Sequence, residues 1–113
     1  MRVRNLSRDH IVAEPVFRAG TFFTRLLGAL PRSVLEPGEG VWIVPCRWIH
    51  TWGMRRGVEA LFLDREGVVR RIERLLPNRV SARVAAARTV LEVGEGTLAR
   101  RVCRPGDRLQ LEA

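Results

Sequence analysis

The chain contains no lysine: all 20 of its Lys-plus-Arg cations are arginine, set against 12 carboxylates for a formal net charge of +8. An arginine-only surplus follows from a biased genome or heat adaptation as readily as from an anionic partner, so charge by itself assigns no function. Nor is there a stretch approaching the ~20 continuous apolar residues of a transmembrane helix. The basic residues of 1–10 are not followed by an apolar run of roughly 7 to 15 residues with a small-residue cleavage site. A cytoplasmic protein without a membrane partner is therefore expected. Cysteine is scarce, with only Cys46 and Cys103, and a reducing compartment favours thiols at both. No glycine-rich phosphate loop, Cys-x-x-Cys, His-Glu-x-x-His or Gly-x-Ser-x-Gly motif occurs, and the chemistries those motifs serve lose their usual signatures. No catalytic residue, cofactor or metal is assigned.

What is present is enough apolar material for a core. Of 113 residues 46% are apolar and 28% charged, outside the low-hydrophobicity, high-charge range of disordered chains. A chain of this length buries roughly two-thirds of its surface on folding, so 1–113 is expected to be a single domain.

Short β-branched runs bounded by Gly, Pro and charged turns dominate the pattern. Val3 and Ile11–Phe17 read as two strands, Pro15 placing the second at an edge or bulge. Phe22, Phe23, Leu26, Leu27 and Leu30 then follow helical spacing, with Thr21 as N-cap and Pro31 as stop. Glu36-Pro37-Gly38-Glu39-Gly40 is a turn that launches a strand over Val41–Cys46, continued by Trp48–Met54. Val58–Leu63 and Val68–Leu76 flank Asp64-Arg65-Glu66-Gly67, a hairpin loop with Gly67 free to take the left-handed position. Pro77–Ala87 has neither period and reads as loop. Thr89–Val93 is a strand, Gly96–Val102 a brief helix or turn, and Arg108–Leu111 a last strand after Pro105-Gly106-Asp107. The whole predicts a mainly β fold, a compact sandwich or partly closed barrel with one or two short helices.

Residues 46–54, Cys-Arg-Trp-Ile-His-Thr-Trp-Gly-Met, concentrate sulfur, indole and imidazole. If they are extended, Cys46, Trp48, His50, Trp52 and Met54 share one face, and Ile49 and Thr51 the other. Thiolate, imidazole and thioether suit a soft metal. However, four residues of strand separate side chains by roughly 13 Å, too far for one ion unless the chain bends sharply at Gly53. A packed aromatic and sulfur-rich stripe is the ordinary alternative.

The order Gly40-Val41-Trp42-Ile43-Val44-Pro45-Cys46, Ile49-His50-Thr51, Met54, Leu61-Phe62-Leu63-Asp64, Pro77, Val90-Leu91-Glu92, Gly96 and Gly106-Asp107 resembles the bacterial and archaeal family known as domain of unknown function 192. The resemblance extends from about Ala19 to Leu111. It implies a compact β fold with short helices and carries no established reaction. His50, Met54, Asp64 and Asp107 match the family pattern. Gly57 and Glu59 depart from it, standing where a proline and an aspartate are common.

The leading expectation is a non-catalytic binding or accessory domain. It would take a small molecule or peptide in a pocket around His50, Trp52, Met54 and Glu59, with Asp64 as a further ligand-binding candidate. The alternative is nucleic-acid binding through Arg70, Arg71 and Arg74 or Arg100, Arg101 and Arg104, with Trp42, Trp48 and Trp52 stacking on bases. An enzyme pairing His50 with Cys46 or Glu59, or a soft-metal protein, ranks lower.

Overall fold

A computed structural model describes residues 1–20 and 35–113. Among these, eight strands form two sheets. They are β1 (Arg2–Asn5), β2 (His10–Ala13), β3 (Val16–Ala19), β4 (Gly40–Ile43), β5 (Val58–Leu63), β6 (Val69–Leu75), β7 (Thr89–Gly94) and β8 (Leu109–Glu112), with one helical turn, α1 (Thr97–Arg100). The smaller sheet has the order β2-β1-β8 and the larger β3-β4-β7-β5-β6. All pairings are antiparallel except β3 with β4. The described residues are thus mainly β, in two sheets that form no closed barrel. The helix expected from Thr21 to Pro31 lies outside the described residues.

The core follows from side-chain alternation along β5 and β7, which are buried over their whole length. Val58, Ala60 and Phe62 of β5 join Val41, Ile43 and Val90 on one face of the large sheet, where Leu35, Cys46, Ile49, Met54 and Ala87 cover them. Leu61 and Leu63 join Leu91 and Val93 on the other face, against Val3, Val12, Val16 and Leu109 around the small sheet. Burial on both faces explains why these strands read as continuous apolar runs. Each fully buried large side chain, such as Phe62, contributes ~1.5–3 kcal/mol of transfer free energy.

The hairpin between β5 and β6 forms as expected. Gly67 takes φ +80°, and a Cβ there would stand 2.5 Å from the Leu109 carbonyl oxygen, so no other residue fits without displacement. Three expectations change. Ile11–Phe17 is not one strand, because Pro15 divides it into β2 in the small sheet and β3 in the large one. Proline has no N–H to offer a ladder. The flanking amides leave the strand direction, Glu14 N donating to Gly38 O and Val16 N to Met1 O. The strand begun at Gly40 stops at Ile43, before Pro45; both Glu14–Pro15 and Val44–Pro45 are cis. Residues 46–54 form no regular strand; among the described residues their one ladder contact is a bridge between His50 and Val80.

Candidate functional site

The Ile49-His50-Thr51 segment is held by the stretch that lacked any period. Ile49 N donates to Ser81 Oγ (2.9 Å) and Ser81 N to Ile49 O (2.9 Å). Thr51 N donates to Arg79 O (2.9 Å), and Arg79 N returns a bond to Thr51 Oγ1 (3.0 Å). The Thr51 hydroxyl in turn donates to Leu76 O (2.6 Å). Further along, Val84 N donates to Arg47 O and Cys46 N to Arg88 O. The Ser81 and Thr51 hydroxyls thus take part alongside backbone pairs, and residues 46–51 lie beside 79–88 without regular strand geometry.

This arrangement sorts the segment differently from an extended strand. Ile49 and Thr51 are buried, as are Cys46 and Met54. Trp48 and His50 are half-buried and Trp52 is exposed. The five residues expected on one face therefore divide. The two sulfur side chains enter the core, because Pro45 and the turn at Gly53 (φ +77°) redirect the chain at either end. The three rings stay outside as a ladder. His50 stacks on Trp52 with centroids 4.3 Å apart, and Trp48 is tilted against His50 at 6.3 Å. The rings pack on one another, but apart from the two sulfur side chains expected in the same stripe.

Of the residues expected to share a pocket, His50 and Trp52 meet, but Met54 and Glu59 do not join them. Met54 packs in the first core. Glu59 is buried and points from the opposite face of β5, where its Oε1 accepts Leu98 N at 2.9 Å. That carboxylate satisfies an amide in the first turn of α1, whose N-cap, Gly96, has no side chain to do so. Asp64 caps the hairpin, with Oδ1 accepting from Glu66 N (2.9 Å) and Val68 N (3.0 Å). Burial pushes its carboxyl up, but those two amides and Arg70 outweigh it and hold Asp64 below the usual carboxylate range. Trp42 is half-buried and packs on the second core.

Beside the ladder lies a hollow of about 330 Å³, lined by Pro45, Cys46, Arg47, Trp48, Arg83, Ala87 and Arg88. Three of its lining residues are arginine, and among the described residues none that lines it is acidic or histidine. Arg47 is positioned by its own Nε, which donates to Ala87 O at 3.2 Å. The Cys46 thiol is turned inward and donates to Trp48 O at 3.1 Å. Among the described residues, no ion pair involves Arg47, Arg83 or Arg88. Sequence reasoning missed these arginines. The available signal was Arg83-Val84-Ala85-Ala86-Ala87-Arg88, in which side chains too short to fill space stand between long cations.

The DUF192 family profile (Uncharacterized ACR) matches residues 4–111. The chain belongs to this family. No curated protein matches the chain. Two solved structures share the DUF192 fold seen here. A Novosphingobium aromaticivorans DSM 12444 protein of unknown function is 20% identical, with a TM-score of 0.77, over 97% of this chain and 82% of its own. A Sinorhizobium meliloti 1021 protein described as a candidate transcription regulator is 25% identical, with a TM-score of 0.74, over 96% of this chain and 89% of its own. In this DUF192 chain Gly57 is sterically required. A Cβ would stand 2.7 Å from the Leu75 carbonyl oxygen and 2.5 Å from Glu95 Oε2.

Proposed function

We propose that this protein is a non-catalytic binding domain that takes an anionic group in the hollow of Arg47, Arg83 and Arg88. The observation that carries the reading is charge without countercharge. Three arginines line one concavity, and none of the described residues lining it is acidic. Like charges so gathered repel one another, and a phosphate or carboxylate entering the hollow relieves that repulsion through charge-assisted, often bidentate hydrogen bonds. The alanines between Arg83 and Arg88 leave room for it. Binding is favoured over turnover because none of the described lining residues offers a carboxylate or imidazole to move a proton, and the nearby thiol is engaged with a backbone carbonyl. The reading shifts the sequence-based pocket from His50–Glu59 to its neighbour at Arg47 and Trp48.

Thermal unfolding in the presence of tripolyphosphate tests this. A ligand at a hundred times its Kd stabilises the native state by ~2.7 kcal/mol, and the Arg83→Ala/Arg88→Ala variant should lose most of that gain. Arg100→Ala/Arg101→Ala removes the same charge near α1 and should keep it. Equal stabilisation of both variants, or none of the wild type, contradicts the assignment.

A further inference from the structure

We propose that the hollow is one part of a track for single-stranded nucleic acid, with phosphates on the arginines and a base on Trp52, the exposed end of the Trp48–His50–Trp52 ladder. The inference rests on the reading of the hollow as an anion site and names its ligand class.

The hollow is not isolated. It shares Arg47, Ala87 and Arg88 with a second hollow of about 310 Å³, which Asp64, Arg65, Glu66 and Arg70 also line. A third, of about 420 Å³, shares Arg83 with the first and Arg70 with the second, and adds Arg71. Among the described residues, six arginines and two acidic residues line these three neighbouring concavities, a surplus of four positive charges. Asp64 is already engaged by two backbone amides and by Arg70. Among the described residues no ion pair involves Arg47, Arg65, Arg83 or Arg88. One small anion fills one hollow, whereas a chain of phosphates can follow all three.

Trp48 decides what kind of chain. It is half-buried, lines the first hollow and also begins the ladder, so the arginines stand next to a row of rings that ends on the exposed Trp52. His50 covers one face of Trp52, and Trp52 nevertheless keeps 56% of its surface exposed, which leaves the outer indole face open. An aromatic platform beside a basic groove is what unpaired bases use: each base has a π face, and stacking is tolerant of sequence. In a duplex those faces are already stacked on one another, and the ladder would gain nothing. A polyanion without bases would likewise leave it unused.

Fluorescence anisotropy with labelled oligo(dT) of about 12 nucleotides, a length within the range such grooves occupy, tests the proposal. A duplex of equal length and tripolyphosphate serve as comparisons. The expected results are tighter binding of the single strand than of the duplex, and a slope of log K against log salt of about −3 for four unpaired arginines. Trp52→Ala should weaken oligo(dT) about tenfold and leave tripolyphosphate binding unchanged. Trp52 is exposed, so its removal leaves the core intact. Arg83→Ala/Arg88→Ala should flatten the salt slope, and Arg100→Ala/Arg101→Ala should not. Tripolyphosphate binding with a duplex bound as tightly as the single strand, or with Trp52→Ala indistinguishable from wild type, overturns the track and leaves the anion site standing. Failure of tripolyphosphate and oligo(dT) together removes both.

Discussion

At the scale of single residues, several of the family-matching side chains hold the fold in place. Thr51 is fully buried, and its hydroxyl both donates to Leu76 O and accepts from Arg79 N. Thr51→Val keeps the volume but removes two part-buried hydrogen bonds to backbone groups, at a cost of about 1–2 kcal/mol, to be read as a lower denaturation midpoint with unchanged m-value. Asp107 Oδ2 accepts from Arg8 Nε (2.6 Å), Asn5 Nδ2 (3.0 Å) and Arg104 N (3.1 Å). Burial pushes its carboxyl up, but the bonds from Arg8, Asn5 and Arg104 outweigh this and leave its pKa lowered. A depressed carboxyl pKa contributes stability above the unfolded value of about 3.9 and loses it as pH falls through the lower folded value. Asp107→Asn should therefore be less stable than wild type at pH 7, and the gap should close below about pH 4. Cys103, beside Asn5 in the same cluster, is pushed up to about 11, chiefly by burial. Its thiol stays protonated at neutral pH, and iodoacetamide should label it in the denatured protein and not in the native one.

At the scale of elements, glycines mark the places where chains approach most closely. Gly94 ends β7 beneath the 35–36 backbone, and an added Cβ there would collide with the Glu36 carbonyl. Gly94→Ala should destabilise by more than about 2 kcal/mol, since backbone rather than a flexible side chain must yield. Gly106→Ala meets no neighbouring atom and acts only through its φ of +97°, so its cost should be smaller. Comparing the two midpoints by denaturation checks the order. Elements of this local kind were legible in the sequence. The Asp64–Gly67 hairpin, the Pro37–Gly38 turn and the apolar β5 and β7 each depend on neighbours in the chain or on two-sided burial. The 46–54 segment was not legible, because its partners lie some thirty residues away and contact it through Ser81, Asn78 and Thr51 side chains. A period-two pattern presumes backbone pairing and assigns the sulfur and aromatic residues to one face. The Arg83–Arg88 stretch was opaque for a related reason: alanines that leave space generate no periodic signal.

At the scale of the whole molecule, the arginines behind the +8 charge divide into ion-paired and unpaired sets among the described residues. Many arginines are engaged locally: Arg2 and Arg4 with Glu112, Arg8 with Asp107, Arg56 with Glu36 and Arg71 with Glu73. The unpaired ones of the hollow stand together because two distant loops meet there, and the ring ladder adjoins them. No helix among the described residues is long and apolar enough to cross a membrane. Backbone and arginine Nε–Hε resonances followed by NMR during tripolyphosphate titration test the central claim most directly. The account predicts saturable shifts concentrated at Arg47, Trp48, Arg83 and Arg88, with Arg100, Arg101 and Arg2 unmoved. Shifts spread evenly over all arginines, or confined to the α1 end, would contradict it.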